Sequence, residues 1–151
     1  MIAPILTKGL DLKLTGEIVS RPYIDLTLHI MHEFGVAAEW TNFDTISVKP
    51  QQYTRRTYTI ENDWTASSYW YEILALQDDL DAEVVISGLK DGSRQGDAAV
   101  RYIFSLLGIK TNFARKDAEG LTDATLTRHT RMLNRMDYDF INHPDLAQTL
   151  I

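Results

Sequence analysis

Ser20-Arg21-Pro22-Tyr23-Ile24-Asp25 is the stretch on which the fold turns, because two periodicities meet there. Before it, Leu10-Asp11-Leu12-Lys13-Leu14-Thr15-Gly16 alternates apolar and polar residues, the pattern of a half-buried strand. After it, Ile24, Leu28 and Met31 recur at helical spacing and Gly35 supplies a stop, which predicts a helix over residues 22–34. A serine followed by an early proline suits a helix start. The hydroxyl can accept an orphan amide, and proline donates none where none is needed. The same amides and the positive end of the helix dipole make an anion site. On the residues alone, Ser20 is either a cap or an anion ligand.

Beyond the helix, residues 36–40 and 45–48 read as a hairpin turned at Thr41-Asn42-Phe43-Asp44. Residues 53–60, rich in Thr and Tyr, predict another strand. Asn62-Asp63 opens a second helix over residues 64–77. It ends on Asp78-Asp79, against the preference for cations at a helix C-terminus. A short β-branched strand over 83–87 is closed by Gly88, and a helix over 97–107 is stopped by Gly108. A last hairpin pairs 109–114 with 121–127 around Glu119-Gly120. Residues 1–9 are poorly patterned, and residues 145–151 begin an apolar helical pattern with no cap or polar tail, which reads as a cut inside a longer chain.

A repeat runs through this order. Gly16, Asp25 and Gly35 recur as Gly88, Asp97 and Gly108, at offsets of 72, 72 and 73 residues. Each instance is strand, glycine, loop, helix, glycine, hairpin, the mark of one supersecondary unit used twice. The class is therefore α+β.

Composition bounds the chemistry. At 151 residues and 44% hydrophobic content the chain can bury a sizeable core. It has no cysteine, which excludes disulfides and thiolate metal sites and fits a reducing, cytoplasmic setting. No apolar run reaches the length of a membrane span. The net charge of −6, with no basic stripe, argues against nucleic acid as the main partner. Gly88, Gly92 and Gly96 match neither a Walker A loop nor a dinucleotide fingerprint and read as turn glycines. His29 and His32 lie three apart on one helix, but no third metal ligand is evident in the sequence. Trp64, Tyr69, Trp70 and Tyr71 read as an aromatic cluster packed across a domain junction.

The opening stretch, with Leu26-Thr27-Leu28, Met31 and Phe34-Gly35-Val36, resembles the EPSP synthase family, which carries a Ser-Lys/Arg-Pro-Tyr-Ile-Asp block at a strand-to-helix junction. Asp63 to Tyr69, Gln95-Gly96-Asp97 and Pro144-Asp145-Leu146-Ala147 resemble the same family in the same order. The resemblance implies repeated βαβαββ units of the enolpyruvate transferase type, about two here plus the start of a third. Residues 1–60 would end one domain and 61–151 begin the other, with the crossover near Glu61-Asn62-Asp63. It implies a transferase that moves the enolpyruvyl group of phosphoenolpyruvate onto shikimate 3-phosphate on the route to chorismate, with neither metal nor organic cofactor.

By the same resemblance, Ser20 holds the phosphate of shikimate 3-phosphate, Tyr23 lies against its ring, and Asp145 binds that substrate and acts as the catalytic base. The structural alternatives are an N-cap for Ser20, a packed side chain for Tyr23 and an N-cap after Pro144 for Asp145. Arg21 stands where lysine is common and keeps the charge, with simple solvation as its plainest reading. The phosphoenolpyruvate-binding cations of the family fall outside this sequence, so the chain alone is expected to be inactive. It is also expected to self-associate through faces that its domain partners would cover. Two rivals stand beside this reading: a fragment of the sister enzyme acting on a UDP-sugar, and a non-catalytic two-repeat binding module.

Overall fold

A computed structural model describes residues 1–114, 117–130, 133 and 135–151. The chain divides into two compact units, Met1–Tyr58 and Thr59–Ile151.

In the first unit, β1 (Leu10–Lys13), α1 (Arg21–Glu33), β2 (Ala38–Asn42) and β3 (Thr45–Val48) form an antiparallel sheet in the order β1-β3-β2 with a helix on one face. β3 is central, and its Ile46 and Val48 are buried. Register sets Leu12 and Trp40 beside Ile46, and Leu10 and Ala38 beside Val48. Ile24, Leu28 and Met31 of α1 close this small core with Ala3 and Val36. α1 ends as its glycine predicts. Gly35 takes φ 83°, its N–H donates to the His32 carbonyl at 2.9 Å, and Val36 N–H reaches back to Met31 at 3.0 Å.

Two expectations for this unit need correcting. β1 is exposed along its whole length rather than half-buried, because a groove of about 210 Å3 bordered by Leu10, Leu12, Ile24 and Leu28 separates it from α1. Residues 53–60 form no strand. Thr and Tyr favour a pleated ladder only where an edge is offered, and this segment runs against the end of α1 instead. Thr54 N–H donates to the Phe34 carbonyl at 2.8 Å. Arg56 Nη1 reaches the Glu33 carbonyl at 2.7 Å and its carboxylate at 2.8 Å, and the Phe34 and Tyr58 rings lie 5.8 Å apart.

The second unit runs α2 (Trp64–Leu76), β4 (Glu83–Leu89), α3 (Val100–Leu106), β5 (Ile109–Phe113), β6 (Thr122–Arg128) and α4 (Ala147–Leu150). Its sheet is antiparallel in the order β4-β6-β5. First, third, second strand is also the order of the first unit, so the repeat read from three pairs of residues is a repeat of topology. The core is larger: Trp64, Tyr71 and Leu74 of α2 meet Ile103 and Phe104 of α3, Ala124 and Leu126 of β6, and Leu146. The aromatic cluster is therefore split. Trp64 and Tyr71 are buried inside this unit's own core, whereas Tyr69 and Trp70 are 43% and 50% exposed.

α3 starts later than its sequence suggests. Residues Gly96–Ala99 form a 3₁₀ turn, since the buried Asp97 carboxylate accepts the Thr65 hydroxyl rather than capping a helix. At the other end of α2, the missing cation arrives from β6: Arg128 Nη1 donates to the carbonyls of Leu74 at 3.3 Å and Ala75 at 3.0 Å. No helix among the described residues is long and apolar enough to cross a membrane.

Candidate functional site

Helix α1 begins with Pro22 in its first turn, where the missing N–H is harmless. Ser20 precedes it, but its hydroxyl does not cap. The backbone there is left-handed, φ 57° and ψ 33°, and no side-chain capping bond forms. An N-cap hydroxyl reaches the amides of the first turn from an extended backbone. From the left-handed region it is turned elsewhere, and the turn is closed by Tyr23 N–H donating to the Ser20 carbonyl at 3.1 Å.

Ser20 is the one non-glycine residue with positive φ among those described. For an L-residue this conformation costs about 1–2 kcal/mol. Seventy-two residues on, at the repeat offset, stands Gly92 with φ 87° and open space where a Cβ would be. At that offset the second unit also turns left-handed, in the turn after β4 rather than directly before a helix, and there it uses the residue that bears no strain. A serine kept in that conformation points to work for its hydroxyl.

Around Ser20 the neighbours are ordered. Arg21 is not simply solvated: its guanidinium carbon lies 3.9 Å from the centroid of the Trp40 ring, and Nη1 donates to the Phe43 carbonyl at 2.9 Å. Trp40 Nε1 donates to Asp25 Oδ1 at 2.7 Å. Tyr23 is half-buried, and its carbonyl accepts the Thr27 hydroxyl at 3.0 Å. Sequence reasoning missed Trp40 and Asp25 as members of this cluster. The available signal was the helical spacing of Arg21 and Asp25, which places them on one face.

Within the first unit the structure groups Ser20 with Tyr23; Asp145 belongs to the second unit. It is not an N-cap. Pro144–Leu146 is a 3₁₀ turn preceded by His143, and Asp145 sits exposed inside it. The turn is anchored by Leu146, fully buried, whose N–H donates to the His143 carbonyl at 3.1 Å and whose carbonyl accepts the Thr149 hydroxyl at 2.9 Å. A carboxylate carried on a rigid support between proline and a core residue is suited to accepting a proton at a fixed place.

The two middle stretches of the sequence motif meet within the second unit. Asp63 caps α2, accepting Thr65 N–H at 2.8 Å. Gln95 Oε1 accepts Trp64 N–H at 2.9 Å while its Nε2 donates to the Asn62 carbonyl at 2.8 Å. Beside them Glu61 accepts three bonds, from Trp64 Nε1 at 2.7 Å and from Lys90 N–H and Ser93 Oγ at 2.8 Å each. This network ties residues 61–63 to the loop after β4. A cavity of about 680 Å3 lies elsewhere on this unit between α3 and β5, lined by Arg101, Tyr102, Lys110, Phe113 and His129. None of the three site residues expected from the sequence lines it.

The family described as EPSP synthase (3-phosphoshikimate 1-carboxyvinyltransferase) matches residues 1–150. The chain is similar to the 3-phosphoshikimate 1-carboxyvinyltransferase of Bacteroides fragilis, 45% identical over 151 residues, which is all of this chain and 35% of that protein. It is also similar to the proteins of that name from Sulfurovum sp. and Methanosphaerula palustris, each 30% identical over 99% of this chain and 33% of their own length. It therefore spans about a third of the length of these curated relatives. With the match running from the first residue to the penultimate one, the chain belongs to the EPSP synthase family.

Proposed function

We propose that this chain is a segment of a transferase that moves the enolpyruvyl group of phosphoenolpyruvate onto shikimate 3-phosphate, releasing phosphate, in a cytoplasmic enzyme. Residues 1–60 end one domain of that enzyme and residues 61–151 begin the other. The division of the fold after Tyr58 supports this reading. Ser20 holds the phosphate of shikimate 3-phosphate, aided by the amides and dipole of the helix N-terminus, and Tyr23 lies against the ring. Asp145 takes the proton from the attacking hydroxyl as the new carbon–oxygen bond forms. The observation that carries the reading is Ser20 itself. A strained serine occupies the family's serine position, where the sister unit has glycine. The partners are two small anionic molecules, and no metal or organic cofactor takes part in the scheme. The half-exposed Tyr69, Trp70 and Ile73 of α2, with Leu76 74% exposed, support self-association of the isolated chain.

A chimera tests it. The 151 residues replace the matching segment of the Bacteroides fragilis relative, and phosphate release is followed with both substrates. The chimera is expected to turn over, the isolated chain to show no release, and Asp145→Asn in the chimera to lower kcat by about 100-fold or more. A folded chimera without activity, or an Asp145→Asn variant as fast as its parent, sinks the proposal.

A further inference from the structure

A serine stays in the left-handed region only when its surroundings hold it there. The next side chain is the obvious holder. Arg21 uses the face of its guanidinium on the Trp40 ring, 3.9 Å away, and an edge N–H on the Phe43 carbonyl, 2.9 Å away. Trp40 is itself oriented, since its indole N–H donates to Asp25 Oδ1 at 2.7 Å. Asp25 stands one helical turn after Arg21, so the ordinary arrangement would be a direct i to i+4 ion pair. Among the described residues these two form none. Both engage Trp40 instead, which closes a ring from the first turn of α1 to the β2–β3 hairpin and back.

We propose that this ring is a positioning clamp for Ser20. Trp40 and Asp25 are positioning residues, and Arg21 acts through its stack on Trp40 rather than as the counter-ion of the phosphate. The proposal rests on the reading of Ser20 as the phosphate ligand given above. Its physical content is pre-organisation: a ligand that finds Ser20 already held does not have to order it. It also explains the arginine. Lysine keeps the charge but has neither the planar face nor the fork that this geometry uses.

The full 151-residue chain, isotope-labelled, is titrated with shikimate 3-phosphate while Ser20 is followed by its amide-to-Hα coupling and its Cα and Cβ shifts. Arg21→Lys and Trp40→Leu are each expected to move the Ser20 signals away from left-handed values. Each should weaken binding by about three- to tenfold. The double variant should be no weaker than either single one, because both remove the same stack. Asp25→Asn, at an exposed site, should move Ser20 in the same direction with about a twofold loss. It decides the matter if Trp40→Leu disturbs the fold of the unit. Arg21→Lys binding as the parent does, or Ser20 signals unmoved in Asp25→Asn and Trp40→Leu, overturns the clamp. Failure of the unmodified chain to bind shikimate 3-phosphate overturns the functional reading instead, and the Ser20 signals then still judge the clamp.

Discussion

The two units share a topology and differ in what they do with it. Both order their strands first, third, second, and both place left-handed glycines at matching points, Gly16 with Gly88 at an offset of 72 residues and Gly35 with Gly108 at 73. The second unit spends its residues on a core, burying Trp64, Tyr71 and Phe104 completely or nearly so. The first buries five smaller hydrophobic side chains, leaves β1 exposed, and carries the strained serine with its stacked arginine. One supersecondary unit thus carries a large buried core in one copy and a small core with an exposed edge strand in the other. The difference lies in side chains, since the backbone plan is common to both.

The largest expected effect breaks the better-packed side. Phe104 is 2% exposed, and its ring centroid lies 5.6 Å from that of Tyr71. Phe104→Ala removes the ring and leaves a cavity that α3 and β6 cannot fill, at about 3–5 kcal/mol. Residue-resolved hydrogen exchange should show amides of α3, β5 and β6 losing protection. If α1 and β3 lost as much as these, the assignment of separate cores to the two units would fail.

The next effect belongs to the same core and is read through pH. Burial pushes the Tyr71 phenol up from 10.0 to about 12, although its hydrogen bond to Thr111 and the charge of Arg101 pull the other way. A raised folded pKa means that the stabilisation is complete below the unfolded value near 10 and is lost as pH rises through 12. The total is about 2–3 kcal/mol. Urea melts at pH 9 and pH 12 should differ by this order more in the parent than in Tyr71→Phe, which has no phenol to ionise. An equal alkaline loss in Tyr71→Phe would show that Tyr71 is not its source.

Much of this was legible locally. The period of Ile24, Leu28 and Met31, with Gly35, placed α1 to within a residue at each end. The 72-residue offsets found a repeat that the strand order bears out. What failed was whatever depends on distant partners. Residues 53–60 have strand composition but no ladder to join, because the end of α1 takes their hydrogen bonds. Trp40 looked like any strand aromatic, since its hold on Asp25, 15 residues away, exists only once the hairpin has folded onto α1. Ser20 looked like a cap because the sequence carries no sign of φ. The glycine at the repeat position was the one clue, and it lay in the other unit.

The smallest effect, of about 1 kcal/mol each way, tests the comparison at that shared position. Ser20→Gly removes a Cβ from a left-handed backbone and should stabilise the first unit by about 1 kcal/mol. Gly92→Ser does the reverse. Nothing lies within 4 Å of the added Cβ, so no clash contributes, and the second unit should lose about 1 kcal/mol from backbone strain alone. Urea melts of the two variants should therefore shift in opposite directions by similar amounts. The same Ser20→Gly chain should bind shikimate 3-phosphate more weakly than the parent, despite its greater stability. That opposition separates a serine retained for its hydroxyl from one tolerated by accident. Greater stability with unchanged binding would leave Ser20 strained for no reason connected with the ligand. No gain in stability would mean that the backbone at residue 20 relaxes in solution, and the parallel with Gly92 would then be a coincidence of spacing.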